Sequence, residues 1–463
     1  MTDINNDKSH HKALILEAIP QNIELKDSGN KFIGSIPIHW CVKRIRFTAN
    51  IVRGGSPRPI DQFITDNEEG YNWIKISDAT LGDKYIHSTK QKIIPEGLSR
   101  TRFVRKNTLL LTNSMSFGYP YILDIDGCIH DGWLAFSNYN GVEKEFVYYF
   151  LMSDVCMKQF VVTADGSVVQ NLNIDKVKNS FIALPPSIEE QTVIVEYLDD
   201  KCTKIDEAIT KHRTLIEKLK EYKKAVITKA VTKGLDPNAE MKDSGNKYIG
   251  LIPSQWGFCK ILFVLSMPIT DGPHETPKSV DQGIPFVSAE AVSAGNGTID
   301  FDHIWGYVSQ EFYEECCKKY VPQIDDIYMI KSGATTGKVA IVNTNRVFTI
   351  WSPLAVFRTN KNIMAAKFLF YYLQSDGYLR QVELRWNYGT QQNIGMRTIE
   401  KLKVCVPSLI EQYKIITFLD EKCAKIDEAI ARHEGLITKL EEYKKSIIYN
   451  AVTGKIDCRK DAE

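Results

Sequence analysis

The side chains with most chemistry to offer lie in short polar loops and fall into two sets. The first half of the chain holds Arg53, Ser56, Arg58, Lys75, Ser77, Asn113, Ser114 and Ser116. The second holds His274, Thr276, Lys278, Lys331, Ser332, Thr335, Thr336 and Lys338. Guanidinium and ammonium groups hold phosphates or donate to the acceptor edge of guanine, and hydroxyls and amides bond to either. Such residues also occur in ordinary solvated loops. Here, however, the loops recur in one frame while their residues change, as expected of a surface that reads a nucleic acid.

No catalytic constellation accompanies them. Ser332–Lys338 reads SGATTGK, one residue short of a phosphate loop, and Lys338 is followed by Val339 where such a loop has Ser or Thr. There is no Asn/Asp-Pro-Pro-aromatic run of an amino-methyltransferase and no Pro-Asp…Asp/Glu-x-Lys nuclease pattern. His130-Asp131 and Ser137 lie close in sequence, without a nucleophile elbow. The ten cysteines are scattered with no CxxC pair, so no metal ligand set is expected and the thiols read as reduced and buried in a cytoplasmic protein.

The elements that must position the loops are repeated. Val195, Leu198, Cys202, Ile205, Ile209, His212, Ile216 and Leu219 follow alternating steps of three and four, a heptad seam. The seam returns as Ile416, Leu419, Cys423, Ile426, Ile430, His433, Ile437 and Leu440, each 221 positions later. A polar residue in a seam fixes register, the role expected for His212 and His433. Ser187 and Ser408, with Glu190 and Glu411 three residues on, read as capping boxes; Gly234 and Gly454 fit the stops. Ile188–Lys233 would span roughly 65–70 Å at helical rise.

A second repeat, KDSGNKFIGSIPIHW at Lys26–Trp40 and KDSGNKYIGLIPSQW at Lys242–Trp256, makes the arrangement circular, because the second long helix closes the chain while its KDSGNK block opens it. This predicts a pseudo-two-fold with the two helices antiparallel. Between them, each variable segment has a Gly/Pro loop (Gly54–Pro59, Asp271–Pro277), short apolar runs and an aromatic helix (Glu145–Asp154, Lys367–Asp376). Each ends in a Gln-Asn element (Gln170-Asn171, Gln392-Asn393). The fold class expected is α+β: two α+β domains separated by a coiled coil of long antiparallel helices. The expected division is a flexible N-terminal tail 1–24, a first variable domain 25–183, a central helix 184–234, a second variable domain 235–405, a distal helix 406–455 and a tail 456–463. Inserting four residues near Ala230 is expected to lengthen the spacer helix.

The 463 residues carry 58 Lys+Arg against 57 Asp+Glu, a formal net charge of +1. Any binding to nucleic acid must therefore rest on local charge or on partners. No apolar run approaches the ~20 residues of a membrane span. Lys204, Asp206 and Glu207 recur as Lys425, Asp427 and Glu428. A seam alone does not require this, so a second, partner-docking surface on the helices is expected.

With these motifs in place, the chain resembles the specificity subunits (HsdS family) of type I restriction–modification systems. The resemblance rests on the KDSGNK-x-IG-x-IP-x-x-W blocks, DGPHETP with GIPFVSAEAV, SGATTGKVAIV, and PSIEEQ and PSLIEQ leading into LD-x-KC-x-KIDEAI; it covers Lys26–Lys455. It implies that the variable segments are target recognition domains, each reading one half of a bipartite site in double-stranded DNA. It implies that the helices set the spacer and dock modification (methyltransferase) subunits, two of them, with restriction/translocase subunits joining for phage defence. The chain would bind no cofactor itself; S-adenosylmethionine, ATP and Mg2+ belong to the partners, as does adenine methylation. The competing readings are a self-sufficient DNA modification enzyme and a coiled-coil adaptor without a DNA role. Ser114-Met-Ser116 and Gly166–Asn171 depart from the family text seen at Ser332–Gly337 and Gly389–Asn393.

Overall fold

The computed structural model describes residues 23–114, 117–162, 172–388 and 392–458. Ser116, Gln170-Asn171 and the tail before Ile23 lie outside the described residues. The chain divides into two compact units, residues 1–211 with 436–463 and residues 212–435.

The two seams lie on helices of 46 residues (Ile188–Lys233, the central helix) and 44 residues (Leu409–Val452, the distal helix). Ser187 and Ser408 accept the backbone N–H of Glu190 and Glu411 at 3.2 and 3.3 Å, half of each expected capping box. Glu190 does not return to Ser187. It accepts instead from the Trp40 indole at 2.9 Å. Gly234 and Gly454 take the left-handed conformation (φ +76° and +68°) that ends each helix.

The helices pair antiparallel, as ion pairs in each unit show. In the first unit Lys444 holds both carboxylate oxygens of Asp206 at 2.7 and 2.6 Å, and in the second Lys223 holds both of Asp427 at 2.7 Å. The residues of one pair stand 221 positions from those of the other. Neither helix would be stable alone in water at this composition; the buried seam stabilises both. Each buried Ile or Leu contributes on the order of 1.5–3 kcal/mol.

The variable domains share one sheet frame. In the first unit the strands run in the order Asn50–Arg53, Trp133–Ser137, Leu109–Thr112, Pro120–Leu123, Tyr85–Ile86. In the second the order is Thr270–Asp271, Leu354–Phe357, Ile327–Ile330, Val339–Ile341. A smaller sheet accompanies each, built on a parallel pair: Tyr71–Ile74 with Gly127–Ile129, and Ile284–Val287 with Thr349–Ile350. The first domain adds an edge strand, Arg102–Val104, on Gly127–Ile129.

The repeated sequence blocks fasten each domain to its helices. Trp40 packs edge-on to Phe146 of the aromatic helix Lys144–Met152, with ring centroids 6.3 Å apart. Trp256 meets Phe368 of Ala366–Leu373 in the same way at 6.5 Å. Gln191 and Gln412, the glutamines of PSIEEQ and PSLIEQ, are fully buried. Their side-chain oxygens accept the N–H of Glu143 and of Ala365 at 2.7 and 2.8 Å, so each ties the start of the aromatic helix to the start of the long one. About two turns later Tyr149 donates to Asp199 and Tyr371 to Asp420, at 2.5 and 2.6 Å.

Candidate nucleic-acid interface

The site residues sit where the strands of the two sheets end. Register makes the two domains directly comparable. Arg53 lies opposite Leu134, which lies opposite Leu111. Asp271 lies opposite Ala355, which lies opposite Met329. Arg53 therefore corresponds to Asp271, and two residues past the matched strand positions Asn113 corresponds to Lys331. Glycines that follow the first strands allow close crossing. A Cβ on Gly54 would stand 2.2 Å from the His130 carbonyl oxygen, and one on Gly272 1.9 Å from that of Ile350.

In the first domain the turn His130-Asp131 is the hub. The Ser56 hydroxyl donates to the Asp131 carboxylate at 2.8 Å, and His130 Nε2 lies 2.9 Å from the same oxygen. Arg58 approaches the other oxygen at 3.8 Å. The backbone carbonyl of Asp131 accepts from Arg53 Nε at 2.8 Å and from Asn113 Nδ2 at 3.0 Å. Burial raises the affinity of Asp131 for a proton, but the Ser56 hydroxyl and the charges of His130, Arg53 and Arg58 outweigh it and hold the carboxyl below its ordinary value. Burial, then the cations Lys75, Arg58 and Arg53, press His130 below its own ordinary value against the pull of Asp131.

The structure thus joins Arg53, Ser56, Arg58 and Asn113 around Asp131, with Lys75 within electrostatic reach of His130. Lys75 itself is tied to Gln91 at 2.7 Å. Ser77 is exposed on the adjoining short helix, apart from this hub, and Ser114 follows Asn113 at the strand end. Two further arginines belong to the rim and were not among the residues expected. Arg102 donates through Nε to the carbonyl of Arg53 at 3.0 Å, and Arg100 to the carbonyl of Arg58 at 3.3 Å. They come from the edge strand, which has no counterpart among the described residues of the second domain, and from the end of the short helix Pro95–Arg100 before it; only the dense Arg-x-Arg text at Arg100–Arg102 hinted at them.

In the second domain the hub is Asp271, fully buried. Lys319 reaches it at 2.5 Å, Lys331 and His274 at 3.2 Å each. Burial opposes its ionisation, yet Lys319 and Lys331 outweigh this and keep the carboxyl below the usual range. Lys331 is only 12% exposed along its side chain, so it is a structural partner of Asp271. Thr276 and Lys278 lie exposed beyond His274. The Ser332–Lys338 segment is a tight turn. Gly333 and Gly337 adopt φ +97° and +92°, and Thr336 Oγ1 bonds back to the Gly333 carbonyl at 2.7 Å. The Gln392-Asn393 element is stitched to this turn: Gly333 N–H donates to Gln392 O and Ile394 N–H to Lys331 O, both at 2.9 Å. In the first domain Leu172 N–H makes the equivalent bond to Asn113 O at 2.7 Å.

Thr336 and Lys338 line a groove of about 780 Å³ that also takes Lys220, Lys223 and Lys224 of the central helix. Those three lysines are already paired, with Glu217, Asp427 and Asp376 respectively. Thr335 is half-buried in the same turn.

The helix residues expected to dock partners divide. Lys204, Glu207, Lys425 and Glu428 are exposed. Asp206 and Asp427 are tied to the other helix by Lys444 and Lys223 while remaining 48% and 37% exposed along their side chains. Each stands one position after a seam isoleucine, where charges bridge paired helices at the edge of the seam. Among the described residues no group of three or more His, Cys, Asp or Glu is placed to hold a metal, and no helix is long and apolar enough to cross a membrane. None of the ten cysteines forms a disulfide.

Two domains built on one frame, each presenting a different polar rim and each fastened to a repeated helix, define a modular recognition protein. Residues 37–221 and 273–442 match the type I restriction modification DNA specificity domain, and the chain belongs to that family. It is similar to the EcoBI type I restriction enzyme specificity subunit of Escherichia coli, 22% identical over 463 residues, covering 96% of this chain and 91% of that one. The EcoDI specificity subunit of the same organism is 21% identical over 355 residues, 70% of this chain and 72% of its own. Among solved structures, a chain from work on complex assembly and conformational transition of a type I restriction–modification system superposes with TM-score 0.66. Their identity is 18%, over 91% of this chain and 99% of that one, and the likeness is one of fold.

Proposed function

We propose that the chain is the specificity subunit of a type I restriction–modification complex, that each domain reads one half of a bipartite duplex site, and that the helices fix the spacer between the halves. The observation that carries this reading is the constant sheet frame with changed rim chemistry: arginines around Asp131 in one domain, lysines and a histidine around Asp271 in the other. A scaffold kept while its contact residues vary is what two independent recognition specificities require. Near-neutral net charge supports weak binding by the chain alone and tight binding once partner subunits add phosphate contacts. The modification subunits dock through the exposed helix faces that carry Lys204, Glu207, Lys425 and Glu428. S-adenosylmethionine, ATP and Mg2+ serve those partners and the restriction subunits.

The test is an exchange. Residues 41–183 are replaced by the equivalent domain of another family member, and the chimera is expressed with its modification subunit. Mapping methylated adenines should show one half-site changed and the other retained. A change in both halves, or in neither, overturns the reading.

A further inference from the structure

Arg53, Arg58, Arg100 and Arg102 form one rim, and three of them are oriented by a bond that uses only part of the guanidinium. Arg53 and Arg102 each spend Nε on a backbone carbonyl, and Arg100 spends one terminal nitrogen. Among the described residues, the terminal nitrogens of Arg53 have no protein partner. Arg58 is 82% exposed along its side chain and meets only the edge of the Asp131 carboxylate. Asp131 is one-third exposed, so its carboxylate also reaches the open face of the rim.

A carboxylate in that position argues about the ligand. Next to a phosphate it repels; next to a neutral base pair it does not. A G·C pair in the major groove offers the two acceptors N7 and O6 on guanine, which take the paired donors of a guanidinium, and beside them the N4 amino donor of cytosine, which a carboxylate accepts. Arginine held through Nε with its terminal fork free has lost most of its rotamer freedom before binding, which lowers the cost of forming both bonds. The rim of the second domain cannot offer this. Register puts buried Asp271 where Arg53 stands, and along the loop Thr276 takes the place of Arg58.

Resting on the reading that this domain binds DNA, we propose that Arg53 and Arg58 read a G·C pair in the half-site of the first domain, that Asp131 positions them, Arg53 through its backbone carbonyl and Arg58 through its carboxylate, and that Arg100 and Arg102 hold the flanking phosphates.

The full chain is expressed with its modification subunit, the recognised site is mapped from methylated adenines, and binding is measured to duplexes carrying each base substitution in the first half-site. The wild type should show one G·C position whose replacement weakens binding about 5- to 150-fold, the range of one bidentate contact. Asp131→Asn keeps the side-chain shape and should flatten that preference, with the second half-site read as before. Asp131→Glu should restore it. Arg58→Lys should lose the preference while binding to random duplex persists. Removing both Arg100 and Arg102 should weaken all sequences alike and reduce the log–log salt slope by roughly two. The proposal falls if no G·C position matters, or if Asp131→Asn leaves the preference intact while Arg53→Ala and Arg58→Ala abolish it. If Arg53→Ala and Arg58→Ala change nothing at the first half-site, the assignment of this rim to DNA falls with it.

Discussion

Arg53 and Asp271 occupy the same register position on equivalent strands, and they carry opposite charge. In one domain the cation lies on the strand and the acid on the facing turn, at Asp131; in the other the acid lies on the strand and Lys319 and Lys331 come to it. The strand residue changes sign, and its partner changes from a backbone carbonyl to two ammonium groups. What each rim leaves exposed differs as a result: guanidinium groups in the first domain, His274, Thr276 and Lys278 in the second.

Asp271 is the more consequential of the two for stability. It is fully buried, and removing it leaves the largely buried Lys331 without its counter-charge. Asp271→Ala should cost about 3 kcal/mol, the lower end for breaking a buried pair, because Lys319 and His274 remain half or more exposed and screened. The sign with pH follows from its depressed proton affinity. The contribution is fully present above the ordinary carboxylate value of 3.8 and is lost as pH falls through the lower folded value. Thermal unfolding of the variant and the wild type should converge in acid and separate at neutral pH.

The histidine pair predicts a different pH response. His212 Nδ1 and His433 Nδ1 are 3.0 Å apart in the seam, so one donates and the other accepts. Part-burial, then the charge of His433, lowers the proton affinity of His212 below its ordinary 6.5. The unfolded chain therefore takes up the proton first. Stability should be complete above about pH 6.5 and decline as pH falls below it. Replacing His433 by Gln should remove the smaller part of that slope, the part due to its charge, while replacing His212 by Gln should remove it all; thermal scans between pH 8 and pH 5.5 would show it. Arg213, Arg432 and Glu434 flank the pair in sequence, so the same scans at high salt separate their contribution.

Asp206 and Asp427 should affect helix pairing rather than partner docking. Asp206→Lys places like charges opposite Lys444, which is 16% exposed, and should lower the melting temperature; the exchange Asp206→Lys with Lys444→Asp should recover most of the loss. Each bridge contributes about 0.5–1 kcal/mol. Docking should respond instead to charge reversal at Lys204, Glu207, Lys425 and Glu428, read as lost co-purification with the modification subunit. Co-purification that survives reversal of all four would place the docking surface elsewhere.

The difference between what the sequence tells and what it hides follows from distance along the chain. The seam from Val195 to Leu219 is local, its period survives in every turn, and its image at Ile416–Leu440 repeats it. The α+β frame was legible because Gly/Pro loops bracket each short strand. The hub at Asp131 was not, although His130-Asp131 stands out in the text, because only the sheet order carries that turn to Ser56 and Arg53, about seventy-five residues away. Arg100 and Arg102 were hidden for the same reason. The bridge from Asp206 was hidden because the seam pattern ends at Leu440, while the lysine that holds it is four residues further, at Lys444.

Helix length gives the last prediction, and the structure changes where it should be tested. Ala230 is 3% exposed and packs with Ile227 and Val231 into the core of the second unit, so an insertion beside it would break that core. An insertion in one helix alone would also slide Lys223 past Asp427 or Lys444 past Asp206. Both helices must be lengthened together, in the exposed stretches after Arg213 and after Glu434. Four residues in each add about 6 Å, against 3.4 Å per base pair, enough for one to two further base pairs in the spacer. Four residues exceed one helical turn by only about 40°, which nearly preserves the facing of each domain; two residues would turn it by about 200° and should abolish methylation. The variants are scored by mapping their methylated sites. An active four-residue variant with the original spacer would mean that the helices do not measure the distance between the half-sites.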